Sequence, residues 1–219
     1  MQNTSLNLIV KSLHQSIEEE LQRVGIQCRV FSRVKADDSL REKVERKIRE
    51  NNGNPYYTKE GKKIQDIVGV RIVTYFYEDV DLLWNIFAKM FQVIDTATAE
   101  ITESNFQPLR KNMVCRMPEK EKQILQEYVK SIHDEVYDVI DSTFEIQFRT
   151  ILSEGWHEVD HILRYKCKDD WHDLLQESRM FNGIYATLET SDKALEALFD
   201  DLAHNHYKSG KWSAMLRSK

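Results

Sequence analysis

Residues 64–77 read IQDIVGVRIVTYFY and are almost continuously apolar. The β-branched and aromatic side chains that dominate this segment are typical of a strand buried on both faces in the middle of a sheet. Asp66 and Arg71 interrupt it. An unpaired buried charge is strongly unfavourable, so Arg71 is expected to meet an anion, an aromatic face or a carboxylate of the fold itself.

Around this strand, hydrophobic periodicity predicts further strands and helices. An apolar residue at every third or fourth position predicts a helix over residues 3–24, and a second helix is expected over residues 37–50, with Asp37 or Asp38 as its cap. Strands are predicted at 27–35, 91–101, 112–117 and 144–148, and helices at 79–91, 118–135, 150–166 and 171–207. This order predicts an α+β fold, a sheet with surrounding helices.

The composition is that of a globular protein. Lys and Arg number 31 against 36 Asp and Glu, for a formal net charge of -5, and 41% of the residues are hydrophobic. These values exclude disordered and collagen-like chains, and the acidic balance disfavours broad nucleic-acid binding. Neither an apolar run of about 18 residues nor a basic and apolar leader is present, so export and a membrane location are not expected.

The three cysteines, Cys28, Cys115 and Cys167, lie far apart without C-x-x-C spacing. This pattern predicts neither a disulfide framework nor a thiolate zinc site, and it indicates thiols in a reducing cytoplasm.

A cluster of cations precedes and enters the second predicted helix. A strand ending near Lys35 places Arg33 and Lys35 on one face, and Ser39 and Lys43, four residues apart, share a side of the helix that follows. Cations, a hydroxyl and helix N–H groups together suit a polyphosphate. A solvated charged face is the alternative interpretation.

Two carboxylates are candidate metal ligands. Asp66 stands at the mouth of the buried strand, and Glu145 lies on the polar face of the strand in which Phe144, Ile146 and Phe148 point inward. Mg²⁺ prefers one or two such oxygen ligands together with substrate phosphates. The alternative is that each carboxylate caps a helix or pairs with an arginine.

Residues 157–161, HEVDH, match the H-E-x-x-H motif of helix-borne zinc sites. Asp160 introduces a charge into a helix that zinc peptidases bury, and no third ligand is evident, although Glu177 and Glu189 follow. A zinc peptidase is therefore disfavoured. The dipeptide His133-Asp134 lacks the partners of a metal phosphohydrolase.

In their order along the chain, four motifs resemble the RelA/SpoT-type (p)ppGpp synthetase family, in its small stand-alone form. These motifs are SRVKADDSLREKV, IQDIVGVRIV, FEIQFRT and WHEVDHILRYK. The resemblance implies a nucleotidyltransferase-like fold with a mixed β-sheet, and transfer of pyrophosphate from ATP to the 3′-hydroxyl of a guanine or other purine nucleotide, with Mg²⁺ as cofactor. It also accounts for H-E-x-x-H as part of the family's helix.

The resemblance also implies residue roles. Arg33 and Arg71 would sandwich the adenine of ATP, and the phosphates would be held by three residues, Lys35, Ser39 and Lys43. Asp66 would bind Mg²⁺, and Glu145 would bind the metal or deprotonate the acceptor hydroxyl. The expected acceptor-side residues are Phe106, Arg110, Gln147, Arg149, Glu154 and His161.

The acceptor motif departs from the family pattern G-Y-x-S-[LY]-H, because residues 105–110 read NFQPLR. Phe106 keeps a ring that can stack on a base, but the Ser and His of the pattern are replaced. The acceptor is therefore left open among GDP, GTP, another purine nucleotide and the 3′ end of tRNA, for which the basic tail would supply phosphate contacts. A nucleotide-binding module with altered catalysis is the remaining alternative.

The simplest division of the chain is a synthetase domain over residues 1–167 and a helical C-terminal extension over 168–219 that ends in a basic tail. The long apolar pattern of 171–207, together with the resemblance, predicts a homo-oligomer formed through these helices.

Overall fold

The computed structural model describes residues 4–98 and 111–218. Helix α1, Thr4–Val24, opens this part of the chain and is followed by strand β1 and helix α2. One stripe of α1 is buried, as the sequence periodicity predicted, and it consists of Leu6, Ile9, Leu13, Ile17 and Leu21. On the rim of this stripe, Ser12 donates a hydrogen bond to Glu121 of the fourth helix over 2.6 Å.

The described strands form one mixed five-stranded sheet in the order β1-β2-β5-β4-β3. Their bounds are β1 Cys28–Val34, β2 Val68–Thr74, β3 Val93–Thr98, β4 Lys111–Arg116 and β5 Thr143–Thr150. Both the β3–β4 and the β4–β5 pairs are antiparallel. The last pair places Asn112 opposite Gln147 and Val114 opposite Glu145. An α+β fold with surrounding helices is confirmed.

Helices connect and flank the strands. The remaining helices are α2 Asp37–Glu50, α3 Tyr77–Met90, α4 Glu119–Ser131, α5 Glu135–Asp138, α6 Ile151–Val159, α7 Leu175–Lys208 and α8 Trp212–Arg217. A π-helical turn, Asp160–Tyr165, continues α6, and a 3₁₀ turn, Lys168–Trp171, precedes α7.

The alternation of β5 separates the core from the polar side of the sheet. Phe144 meets Phe91 edge to face, with ring centroids 5.0 Å apart. Phe148 lies 5.7 Å from Trp84 and 6.2 Å from Phe87. Aromatic pairs at these separations add to the stabilisation from burial, so the apolar face of β5 is fixed firmly. The opposite face of β5, which carries Glu145 and Gln147, is therefore held in a defined position.

Two of the predictions about individual elements were wrong. The central strand is shorter than residues 64–77, because Ile64 instead forms an isolated parallel bridge with Ile140 and α3 begins at Tyr77. Helix α2 is capped by Ala36 without a side-chain hydrogen bond, so neither Asp37 nor Asp38 is its cap. The helical segment predicted over residues 150–166 is present, with α geometry to Val159 and π geometry over Asp160–Tyr165.

The described residues fall into two compact units. The first contains residues 4–72, 84–98 and 111–148, and the second contains residues 73–83 and 149–218. The boundary proposed at residue 167 stays a prediction.

Helix α7 carries much of the second unit and also exposes several large apolar side chains, among them Leu175, Met180, Ile184 and Leu198. Oligomerisation through this helix stays a prediction. Within the described ranges, no helix has the length and apolar character needed to cross a membrane.

Candidate active site

Two lysines and an aspartate meet in the first unit. Lys35 directly follows β1, Lys43 lies on α2, and Asp66 lies in the segment before β2. The Lys35 ammonium is paired with Oδ2 of Asp66, and Nζ of Lys43 lies 2.8 Å from Oδ1 of the same carboxylate. The backbone N–H of Lys35 also donates to the carbonyl of Ile67 over 2.9 Å, which fixes the end of β1 against the Asp66 segment.

The charged groups of this cluster shift the pKa values of Lys35 and Asp66. Burial lowers the pKa of Lys35, the Lys43 charge lowers it further, and the carboxylates of Asp66 and Glu145 act in the opposite direction. Burial alone would raise the pKa of Asp66, but the two ammonium groups outweigh it and hold that pKa below its ordinary value. Asp66 is therefore a carboxylate at neutral pH, with two cations beside it.

The polar face of the sheet carries a second group of side chains, which are joined by hydrogen bonds. Nε of Arg71 on β2 donates to Oε1 of Gln147 on β5 over 3.1 Å. Nε2 of Gln147 donates to Oε2 of Glu145 over 2.7 Å. The other oxygen of Glu145 accepts from Nδ2 of Asn112 on β4 over 2.9 Å. Three neighbouring strands thus hold one carboxylate.

Asp66 and Ile67, which both contact Lys35, directly precede β2, and β2 carries Arg71, which is joined through Gln147 to Glu145. The Glu145 carboxylate also acts to raise the pKa of Lys35. Gly69 lies two residues before Arg71 on β2, and a Cβ added there would meet no atom of the described residues within 4 Å. The sheet therefore presents an acid, an arginine and open space beside a pair of lysines. This combination of groups suits a phosphorylated ligand with a reacting hydroxyl.

Two other predicted donor-side residues lie on elements of the same unit. Arg33 is exposed on β1, and Ser39 is exposed in the first turn of α2. Arg71 is half-buried and meets the amide of Gln147, so its predicted need for a partner is met in part by the fold. The roles of Arg33, Ser39 and Arg71 toward adenine and phosphate stay predictions.

The predicted acceptor-side residues are distributed differently. Gln147 belongs to the group around Glu145, whereas Phe106 and Arg110 lie outside the described residues. Three belong to the second unit: Arg149 is buried at the end of β5, Glu154 is half-buried on α6, and the His161 ring stacks on Tyr165 at 5.8 Å. Their acceptor roles are untested.

Asn112 was not predicted from the sequence. Its only signal was a polar residue at the start of an otherwise apolar stretch, NMVC, at residues 112–115. The contact with Glu145 depends on the β4–β5 register, which the sequence of one strand does not encode.

The side chains of the candidate metal site have the chemical character that Mg²⁺ requires. Asp66 and Glu145 supply carboxylate oxygens, the ligands that Mg²⁺ takes in small numbers alongside substrate phosphates. Among residues 4–98 and 111–218, no group of three or more His, Cys, Asp or Glu side chains is arranged to hold a metal ion. A magnesium ion bound here would thus depend on oxygens from the nucleotide as well.

The segment containing H-E-x-x-H has a packing role in the second unit. Arg164, three residues after the motif, donates to Oδ1 of buried Asp160 over 2.7 Å and to Asn182 over 2.9 Å. Its guanidinium lies 4.7 Å from the Phe181 ring centroid and 5.5 Å from that of Trp156. These contacts hold the π-helical turn against α7.

Comparison with known proteins gives a consistent result. The model of the region found in RelA / SpoT proteins matches residues 32–170. The search of the curated proteins finds no match.

Solved structures share the fold. Small alarmone synthetase 2 from Bacillus subtilis superposes with a TM-score of 0.66 at 19% identity, over 91% of this chain and 98% of that one. Small alarmone synthetase 1 from the same organism, bound to its product pppGpp, gives 0.63 at 20% identity, over 90% and 93%. Its structure bound to AMPCPP gives 0.58 at 19% identity, over 90% and 95%. Because the RelA/SpoT match spans more than half of the sequence, the chain belongs to the RelA/SpoT family.

Proposed function

We propose that this protein is a Mg²⁺-dependent pyrophosphokinase that transfers pyrophosphate from ATP to the 3′-hydroxyl of a guanine nucleotide and so makes a (p)ppGpp-type alarmone. The observation that carries the proposal is the Glu145 carboxylate, which accepts hydrogen bonds from Gln147 and Asn112. Its charge also acts to raise the pKa of Lys35 in the Lys35–Asp66–Lys43 cluster. A base and a phosphate-binding cluster are the two parts that such a transfer needs.

The donor is assigned to the cation side. Lys35 and Lys43 are close enough to share one anion, since both already contact Asp66. In this proposal they hold the ATP phosphates together with Ser39, and Arg33 and Arg71 lie against the adenine. Structural similarity to a small alarmone synthetase bound to AMPCPP supports an adenine nucleotide as donor.

Asp66, with Glu145 as second candidate, would hold Mg²⁺, which when bound neutralises charge on the phosphate oxygens. Asp66 is ionised under the influence of Lys35 and Lys43, as a metal ligand must be. The two ammonium groups would turn toward phosphate oxygens as the nucleotide arrives.

The chemical step is an in-line displacement. The acceptor's 3′-oxygen attacks the β-phosphorus of ATP, the bond from that phosphorus to the oxygen bridging to the α-phosphate breaks, and AMP leaves. Glu145 takes the hydroxyl proton in this scheme. Because Gln147 and Asn112 both donate to Glu145, its carboxylate is fixed before substrate arrives, which lowers the entropic cost of reaching the reactive geometry.

A guanine nucleotide is proposed as the acceptor because the structurally similar small alarmone synthetase 1 was solved with pppGpp. Transfer to the 3′ end of tRNA is the alternative outcome of the experiment below. The three cysteines are thiols, in keeping with a reducing cytoplasm, the location proposed for the enzyme.

The test uses purified protein, Mg²⁺ and ATP labelled on its terminal phosphate, with GDP, GTP, ADP and deacylated tRNA in separate reactions. Label is expected on GDP or GTP, with one AMP formed for each transfer. Glu145→Gln should abolish transfer without lowering the midpoint of unfolding, whereas the matched control Glu127→Gln, an exposed position on α4, should match wild type. Label on tRNA alone would replace the proposed acceptor, and transfer that persists in Glu145→Gln would remove Glu145 from the mechanism.

A further inference from the structure

Asn112 occupies an unusual position for a polar residue. It lies on β4 opposite Gln147, and only 8% of its surface is exposed. Nδ2 of Asn112 donates to Oε1 of Glu145, while Gln147 donates to Oε2. Each oxygen of the Glu145 carboxylate therefore accepts one amide hydrogen bond, one from its own strand and one from the neighbouring strand.

The two amides differ in how their orientation is set. Oε1 of Gln147 accepts from Arg71, so both ends of that amide are satisfied. Oδ1 of Asn112 is buried and finds no hydrogen-bond donor within residues 4–98 and 111–218. Turning the Asn112 amide over would place its oxygen against the Glu145 carboxylate, which cannot donate when ionised. Among the described residues, the Glu145 carboxylate is therefore the group that orients the Asn112 amide.

A buried amide whose N–H is hydrogen-bonded but whose oxygen is not is an unfavourable choice for the stability of the fold. Buried polar groups are normally hydrogen-bonded, and one that is left without a partner lowers the free energy of unfolding. An apolar residue of similar shape would remove this penalty, but it would also take a hydrogen-bond donor from Glu145. The fold by itself therefore gives no reason for an asparagine at position 112, whereas contact with Glu145 does.

We propose that Asn112 is a positioning residue for the transfer reaction, which fixes the Glu145 carboxylate in the orientation that receives the acceptor hydroxyl. The inference rests on the proposed function, since it is Glu145 whose orientation matters. With Asn112 removed, Oε1 loses its only described side-chain donor, and the carboxylate rotates between orientations, only some of which face the substrate.

The test compares Asn112→Leu, which has similar volume and no donor, with Asn112→His, whose Nδ1–H stands the same number of bonds from the backbone. Met113→Leu, a volume-conserving change at the neighbouring core position, is the control. Asn112→Leu should lower kcat about 10- to 100-fold, the size expected for one hydrogen bond to a charged group. KM for both nucleotides should stay within about twofold, and the midpoint of urea unfolding should equal or exceed that of wild type.

Asn112→His should recover most of the lost kcat, and Met113→Leu should behave as wild type. In a Glu145→Asp background with residual activity, Asn112→Leu should have much less effect, because the group it positions is already altered. Wild-type kcat in Asn112→Leu, or a lower unfolding midpoint in that variant, would overturn the positioning role while leaving the proposed function standing. Absence of any label transfer by wild type would instead mean that the proposed function itself has failed.

Discussion

Gln147 donates its Nε2–H to Oε2 of Glu145 over 2.7 Å, although the two side chains belong to the same strand and stand only two positions apart. Same-face neighbours along a strand lie close enough for this contact. Arg71 holds the opposite end of the amide, so its donor is directed at the carboxylate. Through Gln147, Arg71 on another strand thus contributes to the orientation of Glu145, in addition to the direct hydrogen bond from Asn112.

From this relationship we expect Gln147→Leu to lower kcat by about 10- to 100-fold, since one hydrogen bond to a charged group is worth about 1.5–3 kcal/mol. Gln147→Glu should be worse, because it places a second carboxylate against Glu145. Steady-state kinetics of label transfer measure both variants, with Gln123→Leu on the exposed face of α4 as control. Equal activity of Gln147→Leu and wild type would contradict the chain of contacts.

Asp66→Asn should abolish transfer in the presence of Mg²⁺ but strengthen ATP binding in its absence. Asp66 neutralises Lys35 and Lys43 in the absence of ligand, so its loss frees two cations for phosphate. We expect transfer with Mg²⁺ to be abolished, and ATP binding in a chelator to tighten by about tenfold at low salt. Isothermal titration calorimetry measures this, with Asp95→Asn on β3 as control. Weaker binding in the chelator would show that Asp66 does not compete with the phosphates.

Gly69→Val tests the open space on β2. A β-branched residue suits a strand, and within residues 4–98 and 111–218 no atom lies within 4 Å of a Cβ added at this position. The unfolding midpoint is therefore expected to stay level or rise, while the Kd for ATP rises by about tenfold or more, as a ligand-facing side chain would cause. Gly183→Ala on α7, also unobstructed, is the control. Unchanged ATP affinity in Gly69→Val would place the nucleotide elsewhere.

Asp192 on α7 gives a pH dependence to stability. Its Oδ2 accepts from Oγ1 of Thr150 over 2.6 Å. Burial raises the pKa of Asp192 above its ordinary 3.8, the nearby charge of Glu189 raises it further, and the Thr150 hydrogen bond opposes both. Between the ordinary and the raised pKa, the folded protein binds more protons than the unfolded chain, so the free energy of unfolding falls as pH rises through that window.

Asp192→Asn should remove this pH dependence and make the protein more stable at pH 7, by an amount on the order of 1 kcal/mol. Urea unfolding between about pH 4 and pH 8 measures the difference, and Asp201→Asn, exposed on the same helix, is the control. A wild-type stability that rises through the same window would contradict the raised pKa.

Local patterns predicted what depends on one segment alone. In β5, period-two alternation correctly separated Phe144 and Ile146 in the core from Glu145 and Gln147 on the polar face, because a strand's side chains alternate whatever its neighbours are. The buried stripe of α1 followed from its periodicity in the same way.

Long-range pairing was beyond these patterns. Asn112 meets Glu145 through the β4–β5 register, and Ile64, which lies outside the central strand, pairs with Ile140. The π-helical turn at Asp160 was also missed; Arg164 within it packs against Phe181 of α7, a contact between residues far apart in the sequence.

The polar group around Glu145 draws its members from β2, β5 and β4, each at an alternate position of its strand. A one-residue insertion or deletion within such a strand turns every later side chain to the opposite face. Over evolutionary time, these three strands can therefore accept substitutions but not changes in length. Lineages that alter which acceptor they use must do so at constant strand length, through changes of side chain or in the loops.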